Sequence, residues 1–347
     1  MIANPTPAPA SACECNPAPL VSIIMQSLVL RQSVFAAAEF GIADLLAIGP
    51  KSVSELAAQL HLDESSLGRI LRLLTSEGIF AESTPGVFAN NAVSNCLRSD
   101  AHLSLRALAR FGGSDFVYGA FAEILHSVRT GQPGRLKTLG MEGWEYLKND
   151  AALARLFDDA MTCLSSLAAP GIAAGYDFAK WESLMDVGGG NGVLLAAILQ
   201  SHPTLRGVLA DQAHVLQRAR ERGFLSALET RFTMQPCDLF QNIPAGCGAY
   251  LMKSVIHDWN DTDAVRILRN ARKAVPENGA LLLVESNLPE NGSPSRARFV
   301  DVTMLVLTGG KERTSAEYGA LLEQADFRLN RVTPTPSDFN ILEALPV

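Results

Sequence analysis

The stretch Met185-Asp186-Val187-Gly188-Gly189-Gly190-Asn191-Gly192 decides the fold. A short apolar run, SLMDV, ends in a glycine loop, and an apolar helical stretch, Val193–Gln200, follows at once. Glycines lack a Cβ, so the backbone at 188, 190 and 192 turns sharply and lets a ligand come close. In an open α/β sheet the occupant of such a strand end is a nucleotide. A dinucleotide fingerprint, G-x-G-x-x-G, requires its third glycine where Val193 stands, which argues against a nicotinamide dehydrogenase. Asp186 repels a pyrophosphate but tolerates a cation, and a cationic adenosine ligand such as S-adenosylmethionine suits that charge.

Outward from this loop, β-rich runs alternate with helical ones: RGVLAD, HVLQRARERG, AYLMKSV, AVRILRNARKAV and ALLLVES. Alternation of this kind predicts right-handed βαβ units and a doubly wound, mostly parallel sheet from about residue 183. Asp211 ends the next strand, nineteen residues beyond Gly192, where a carboxylate accepts hydrogen bonds from ribose hydroxyls. Asp238, in CDLF after a third β-like stretch, suits an adenine amino group. Singly, each acid reads as a loop residue or helix cap; Asp186, Asp211 and Asp238 at successive strand ends read as a nucleoside site.

His257 leaves the fourth strand in MKSVIHDWND and is the only histidine of this half at a strand's carboxyl end. A neutral imidazole there is a general base for a phenol or similar hydroxyl. Its tautomer needs an acceptor, and Glu285, ending ALLLVE, and Glu312, in GGKERT, are the candidates. The expectation of no metal rests on the absence of a clustered His/Asp/Glu ligand set beside that base.

Residues from about 18 to 165 read as helical, with apolar positions three and four apart. Within them, Ser54–Gln59, a turn at His61–Asp63, Ser65–Ser76 and a hairpin at Pro85–Gly86 outline a winged helix. DNA binding through the second helix is weak, because only Arg69 and Arg72 are long and basic there and the chain carries a formal charge of −7. Residues 1–18 are Pro/Ala/Ser-rich and read as a flexible tail without a signal peptide. The apolar run Leu20–Ala38 is interrupted by Gln26, Arg31 and Gln32, short of a membrane span, and reads as a buried or dimer-forming helix. Leu164–Lys180, with Pro170, Gly171 and Gly175, reads as the connection between halves. The six cysteines, at 13, 15, 96, 163, 237 and 247, have no zinc spacing and read as free thiols in the cytoplasm.

DVGGGNG, CDLFQNIP, MKSVIHDWND, ILRNARKAVPENGALLLVES and TGGKERT, in this order, resemble the S-adenosylmethionine-dependent O-methyltransferases of the caffeate, flavonoid and hydroxyindole type, including bacterial relatives acting on aromatic natural products. The resemblance runs from about residue 20 to the end. It implies a Rossmann-like methyltransferase domain over 166–347 and a winged-helix-like dimerisation and acceptor-pocket domain over 19–165. It also implies a homodimer with no nucleic acid or membrane partner, and S-adenosylmethionine as the cofactor, leaving as S-adenosylhomocysteine. His257 matches the family's base, Glu285 and Glu312 the acids that bracket it, and Asp258 belongs to the same group. Gly188, Gly190, Asp211, Asp238, Leu239 and Lys253 match cofactor positions. Phe157, Met161, Met304 and Thr308 match acceptor-pocket positions, with Phe116 and Tyr118 where an aromatic anchor is common. Thr308 and Leu164 depart from the pattern in ways that vary with acceptor. Transfer to nitrogen or carbon remains the rival within the same fold.

Overall fold

The computed structural model describes residues 17–347, so the expected tail, with Cys13 and Cys15, lies outside the described residues up to position 16. The chain divides into two compact units between Asn95 and Cys96.

In the first unit, strand β1 (Lys51–Ser52) leads into helices Val53–Leu60 and Glu64–Ser76, followed by a hairpin of β2 (Ala81–Thr84) and β3 (Val87–Ala89). The strand order is β1-β3-β2. Ser52 and Glu55 close a reciprocal capping box, and Asp63 caps the second helix through the Ser66 amide, so both starts are written in the local sequence. Leu56, Leu71, Leu74 and Phe88 form its buried core. Of the two expectations for helix Ala18–Glu39, burial within its own chain does not hold: Ile23, Ile24 and Met25 are 63%, 66% and 67% exposed, and only Ser33, Ala37 and Ala38 are buried, which leaves the dimer-forming alternative. Its polar interruptions do not shorten it either, since it is long and apolar enough to cross a membrane.

The second unit is built on a seven-stranded sheet. Its strands are β4 (Ser183–Val187), β5 (Arg206–Asp211), β6 (Phe232–Pro236), β7 (Ala249–Lys253), β8 (Ala280–Glu285), β9 (Phe327–Pro334) and β10 (Asn340–Pro346). Their order is β6-β5-β4-β7-β8-β10-β9. The first five pair in parallel, and β10 runs antiparallel to both β8 and β9. The period of two explains the near-continuous apolar runs: Leu281 and Leu283 pack on one face, while Ala280, Leu282 and Val284 pack on the other.

The expected domain boundary near residue 165 is not where the chain divides. Leu164–Lys180 is not a linker; most of it continues the helix Ala151–Ala174, whose Ala168, Ala169, Ile172 and Ala173 pack with Leu194, Leu195 and Ile198 against the sheet. Tertiary burial outweighs the local signal of Pro170. Gly171 and Gly175 serve close approach instead, because a Cβ on either would sit 3.0 Å from the Ser337 amide or 2.8 Å from Thr335. The helices from Arg106 to Asn149 therefore belong to the same unit as the sheet.

Candidate active site

From β4 the chain winds outward through β5 and β6, and from β7 it winds the other way through β8, so the order reverses between β4 and β7. A ligand crevice lies outside the carboxyl ends of strands at such a switch point. The glycine loop occupies the end of β4. A Cβ on Gly189 would lie 2.5 Å from Leu209 Cδ1 and 2.7 Å from Asp186 Oδ2, so that position is filled by the core. Gly190, at φ +56°, faces open space. Its amide donates to Asp211 Oδ2 at 2.9 Å, and the Gln212 amide donates to Asp211 Oδ1 at 2.7 Å, which joins the loop to the end of β5. Each oxygen retains a lone pair for a further donor.

Asp186 is buried, and its Oδ2 has no hydrogen-bond partner. Burial pushes its carboxyl up to about 7, against the opposing pull of the Lys253 ammonium. An orphaned acid beside an open glycine loop fits a cationic adenosine ligand and opposes a pyrophosphate. Lys253, at the end of β7, has its ammonium pushed below the ordinary range by burial, which Glu285, Asp186 and Asp258 counter. Asp238 is exposed, and its oxygens take the Phe240 amide at 2.9 Å and Gln241 Nε2 at 2.9 Å, so the carboxylate holds its own loop. Leu239 is anchored through its carbonyl, which accepts from Asn270 at 2.9 Å.

The second cluster sits beyond β7. His257 lies in a single turn, Ile256–Asp258, entered through Ser254 at φ +53°. Two glutamates hold it in different ways. Glu312 Oε1 is 2.7 Å from His257 Nδ1, so Nδ1 carries the proton and donates, leaving Nε2 as the acceptor end in the neutral ring. Glu285 is fully buried at the end of β8; its Oε1 accepts from the amides of Val255 at 3.3 Å and Ile256 at 3.0 Å. Its Oε2 lies 3.9 Å from Nδ1 without a hydrogen bond. Asp258 stands on the other side of the ring, Oδ1 3.9 Å from Nε2. Burial drags the imidazole down, but Glu285, Asp258 and Glu312 together prevail and raise it to about 9. Burial raises Glu285 to about 7 in spite of His257.

The ground for expecting no metal needs correction, because the fold does bring a ligand-type set together. Donor atoms of His257, Glu285 and Glu312 lie within 4.8 Å of one another, gathered from three separate strand-end or loop segments. Within that set Nδ1 is committed to Glu312 and Glu285 Oε1 to two amides, while Oε2 of Glu285 and of Glu312 are buried without a hydrogen-bond partner.

The acceptor-pocket candidates gather around an aromatic cluster. Phe157 meets Phe111 at 5.5 Å and Trp144 at 5.6 Å, both edge-on, and Met161 packs against the same group. Phe116 is buried there, whereas Tyr118 is exposed. Met304 is buried on helix Arg296–Leu307, whose Val306 and Leu307 join the cluster, and Thr308 Oγ1 bonds the Met304 carbonyl at 3.2 Å. Leu164 is half-buried one turn beyond Ala160, a member of the cluster.

Comparison with known families is decisive at this point. The model of the O-methyltransferase domain matches residues 121–328, and that of the O-methyltransferase dimerisation domain matches 23–100. The chain belongs to the O-methyltransferase family. It is a methyltransferase dependent on S-adenosylmethionine. A phenazine O-methyltransferase of Lysobacter antibioticus is 38% identical over 95% of this chain and 97% of its own length. The crystal structure of LaPhzM superposes with a TM-score of 0.92 at 37% identity, over 96% and 100% of the two chains. An O-methyltransferase from neocarzinostatin biosynthesis, solved with S-adenosylmethionine and 2-hydroxy-5-methyl naphthoic acid, gives 0.82 at 32% identity over 97% and 100%.

Other residues of this methyltransferase help build the site without having been singled out by the sequence. Arg313, fully buried, donates to the carbonyls of Ile256 at 3.2 Å and Trp259 at 2.8 Å and pairs with Asp261 at 2.9 Å. It thereby clamps the loop on both sides of His257, and its place inside GGKERT was the available signal. Asn191 ties the glycine loop to Thr162 at 2.8 Å, and Arg135 is buried beside Phe116. An isolated asparagine or arginine carries no sequence signal of this kind.

Proposed function

We propose that this O-methyltransferase methylates a hydroxyl of a small aromatic or heteroaromatic acceptor, with His257 as the general base. The observation that supports this most is the 2.7 Å contact of Nδ1 with Glu312, which fixes the tautomer and leaves Nε2 to take a proton. S-adenosylmethionine, when bound, would supply an electrophilic methyl carbon with a neutral thioether as its leaving group. Gly188, Gly190, Asp211, Asp238, Leu239 and Lys253 are the residues that would hold it. His257 removes the hydroxyl proton as the oxygen becomes nucleophilic, a contribution of about 10²–10⁴ in rate. Glu312 and Glu285 stabilise the imidazolium that results, and Asp258 adds a third negative group on the Nε2 side. Phe157, Met161, Met304 and Thr308 line the acceptor side, where alignment supplies most of the remaining advantage.

The dimerisation-domain match and the exposed apolar side chains of helix Ala18–Glu39 support a homodimer formed through the N-terminal unit. Cys163, Cys237 and Cys247 are buried free thiols, which suits the cytoplasm.

Transfer of label from S-adenosylmethionine across phenols, catechols and heteroaromatic hydroxyls tests the reading. The wild-type enzyme is expected to methylate at least one of them, and His257→Ala to bind the cofactor while losing turnover by about 10²-fold or more. Undiminished turnover in His257→Ala removes the base. Cofactor binding with transfer only to amines or carbon acids favours the rival chemistry.

A further inference from the structure

Arg135 is the second residue of a short helix, Gly134–Leu139, in the second unit. Its side chain is buried to 6% exposure, yet among the described residues it forms no ion pair or hydrogen bond, and Nε lies buried without a partner. The guanidinium carbon lies 4.0 Å above the centre of the Phe116 ring, within the aromatic cluster that contains Phe111 and Phe157. The space around it is built: a Cβ on Gly143 would lie 2.8 Å from Arg135 Cδ and 2.9 Å from Nη1, so only glycine leaves room for this rotamer. The guanidinium is also close enough to Asp258, which shares a turn with His257, for each to shift the other's ionisation.

A buried guanidinium without hydrogen bonds is costly, and burial, partly opposed by Asp258, pulls it down to about 10. Asp258 offsets part of that cost through space but satisfies none of the five N–H donors by contact. The unpaired donors sit against the flat Phe116 ring and within electrostatic reach of Asp258, the neighbour of His257 in its turn. That combination matches an aromatic ring carrying a planar two-oxygen group, because a guanidinium fork and a carboxylate bond in a bidentate manner.

We propose that Arg135 recognises a carboxylate on the acceptor, so that the preferred substrate is a hydroxylated aromatic acid rather than a neutral phenol. This rests on the aromatic-acceptor reading above. The ring stacks in the Phe116–Phe157 cluster, the carboxylate takes the Arg135 donors, and the hydroxyl is thereby directed towards His257. Asp258 enforces the orientation by repelling a carboxylate that enters the other way round.

The test uses binding and turnover together. Binding of 1-naphthoate and of the isosteric neutral 1-naphthamide is measured by calorimetry on the full chain saturated with S-adenosylhomocysteine, for the wild type, Arg135→Met and Arg135→Lys. Methyl transfer to a hydroxynaphthoate and to the corresponding naphthol is measured in parallel. The wild type is expected to prefer the acid to the amide by about 10–100-fold, the range of a charge-assisted hydrogen-bonded pair. Arg135→Met brings that preference close to one, and Arg135→Lys restores part of it. Unaltered S-adenosylhomocysteine affinity in both variants excludes a folding defect. Equal wild-type affinity for acid and amide, no binding of naphthoate, or an acid preference that survives in Arg135→Met each overturns the proposal. Arg135-dependent naphthoate binding with no methylation of any hydroxyl would leave this subsite standing and sink the hydroxyl-transfer reading instead. Methylation of naphthol and hydroxynaphthoate with equal kcat/KM would do the reverse.

Discussion

The ionisation of His257 makes a quantitative claim about rate. With a pKa of about 9 in the cofactor-free protein, the imidazole is protonated at neutral pH and cannot accept a proton. The neutral fraction is about 1% at pH 7 and about 10% at pH 8, one decade for each unit below the pKa. For a neutral phenol, with phenol and S-adenosylmethionine both well below saturation so that the free enzyme is reported, the rate should therefore rise about tenfold per pH unit from 6 to 8 and flatten near 9. The same group affects stability with the opposite sense. A folded pKa above the unfolded value of 6.5 gives stabilisation that is complete below 6.5 and is lost as the pH rises through about 9.

The acceptor hydroxyl ionises in the same range, so the assay must separate the two. Rates are measured with two phenols of similar shape, one of ordinary acidity and one made about three units more acidic by a nitro group. A rising limb belonging to His257 stays near pH 9 for both, whereas a limb that follows the phenol belongs to the substrate. Glu312→Gln then isolates the cause. The amide oxygen still accepts from Nδ1–H, so the tautomer is kept and only the charge is lost. Opposite charges about 4 Å apart are worth up to about 4 kcal/mol at an effective dielectric of about 20, and 1.4 kcal/mol is one pKa unit. With Glu285 and Asp258 still present, the limb should move down by about one to two units. The variant therefore loses less activity at pH 7 than at pH 9. A limb that begins near 6.5 in the wild type, or one unmoved by Glu312→Gln, would falsify the assignment of the acidic cluster as the group that sets the proton affinity of His257.

Two further outcomes follow from buried charge. Arg313→Met removes the donors that hold the Ile256 and Trp259 carbonyls, at a cost of about 2–4 kcal/mol, so the thermal midpoint should fall and kcat should drop more than cofactor affinity; equal losses in both would show the clamp to be general rather than local. Glu343 is opposed by burial, but Lys180, Tyr176 and Asn330 hold its carboxyl at about 2, below its ordinary 4.5. Its stabilisation is present above 4.5 and is lost as the pH falls through about 2, so Glu343→Gln should lower the thermal midpoint at pH 7 and converge on the wild type only near pH 2; a constant gap between the two melting curves would show that the charge is irrelevant.

Much of this organisation was legible before the coordinates because it is local. The helix of Glu64–Ser76 starts at an Asp63 cap, and the glycine loop follows an apolar strand, so each element announces its own ends. The connecting segment at Leu164–Lys180 was misread because Pro170, Gly171 and Gly175 are local signals with a non-local purpose. Two of those glycines admit the loop Thr335–Ser337, more than 150 positions away in the sequence, and no window over the helix can reveal that. The exposed helix Ala18–Glu39 poses a related question: its composition asks for burial, and the choice between its own chain and a second copy as the cover is not contained in its own sequence.

At the proposed catalytic centre the residue types were legible and the division of labour was not. Glu285 and Glu312 were equivalent candidates for one task, yet one oxygen of Glu285 holds the two amides that shape the turn before His257, while Glu312 alone contacts the ring. The difference has a physical basis. Two carboxylates and Asp258 around one imidazole cannot all remain charged without water, and the cluster relieves that strain by giving one acid a backbone to bind. Glu285 is therefore a structural residue whose second oxygen stays in the field of the base. Replacing it with glutamine preserves an acceptor for the amides, whereas alanine does not. The alanine variant should consequently lose the turn as well as the charge, and the gap in turnover between Glu285→Gln and Glu285→Ala measures how much of catalysis depends on where His257 is held rather than on the charge beside it.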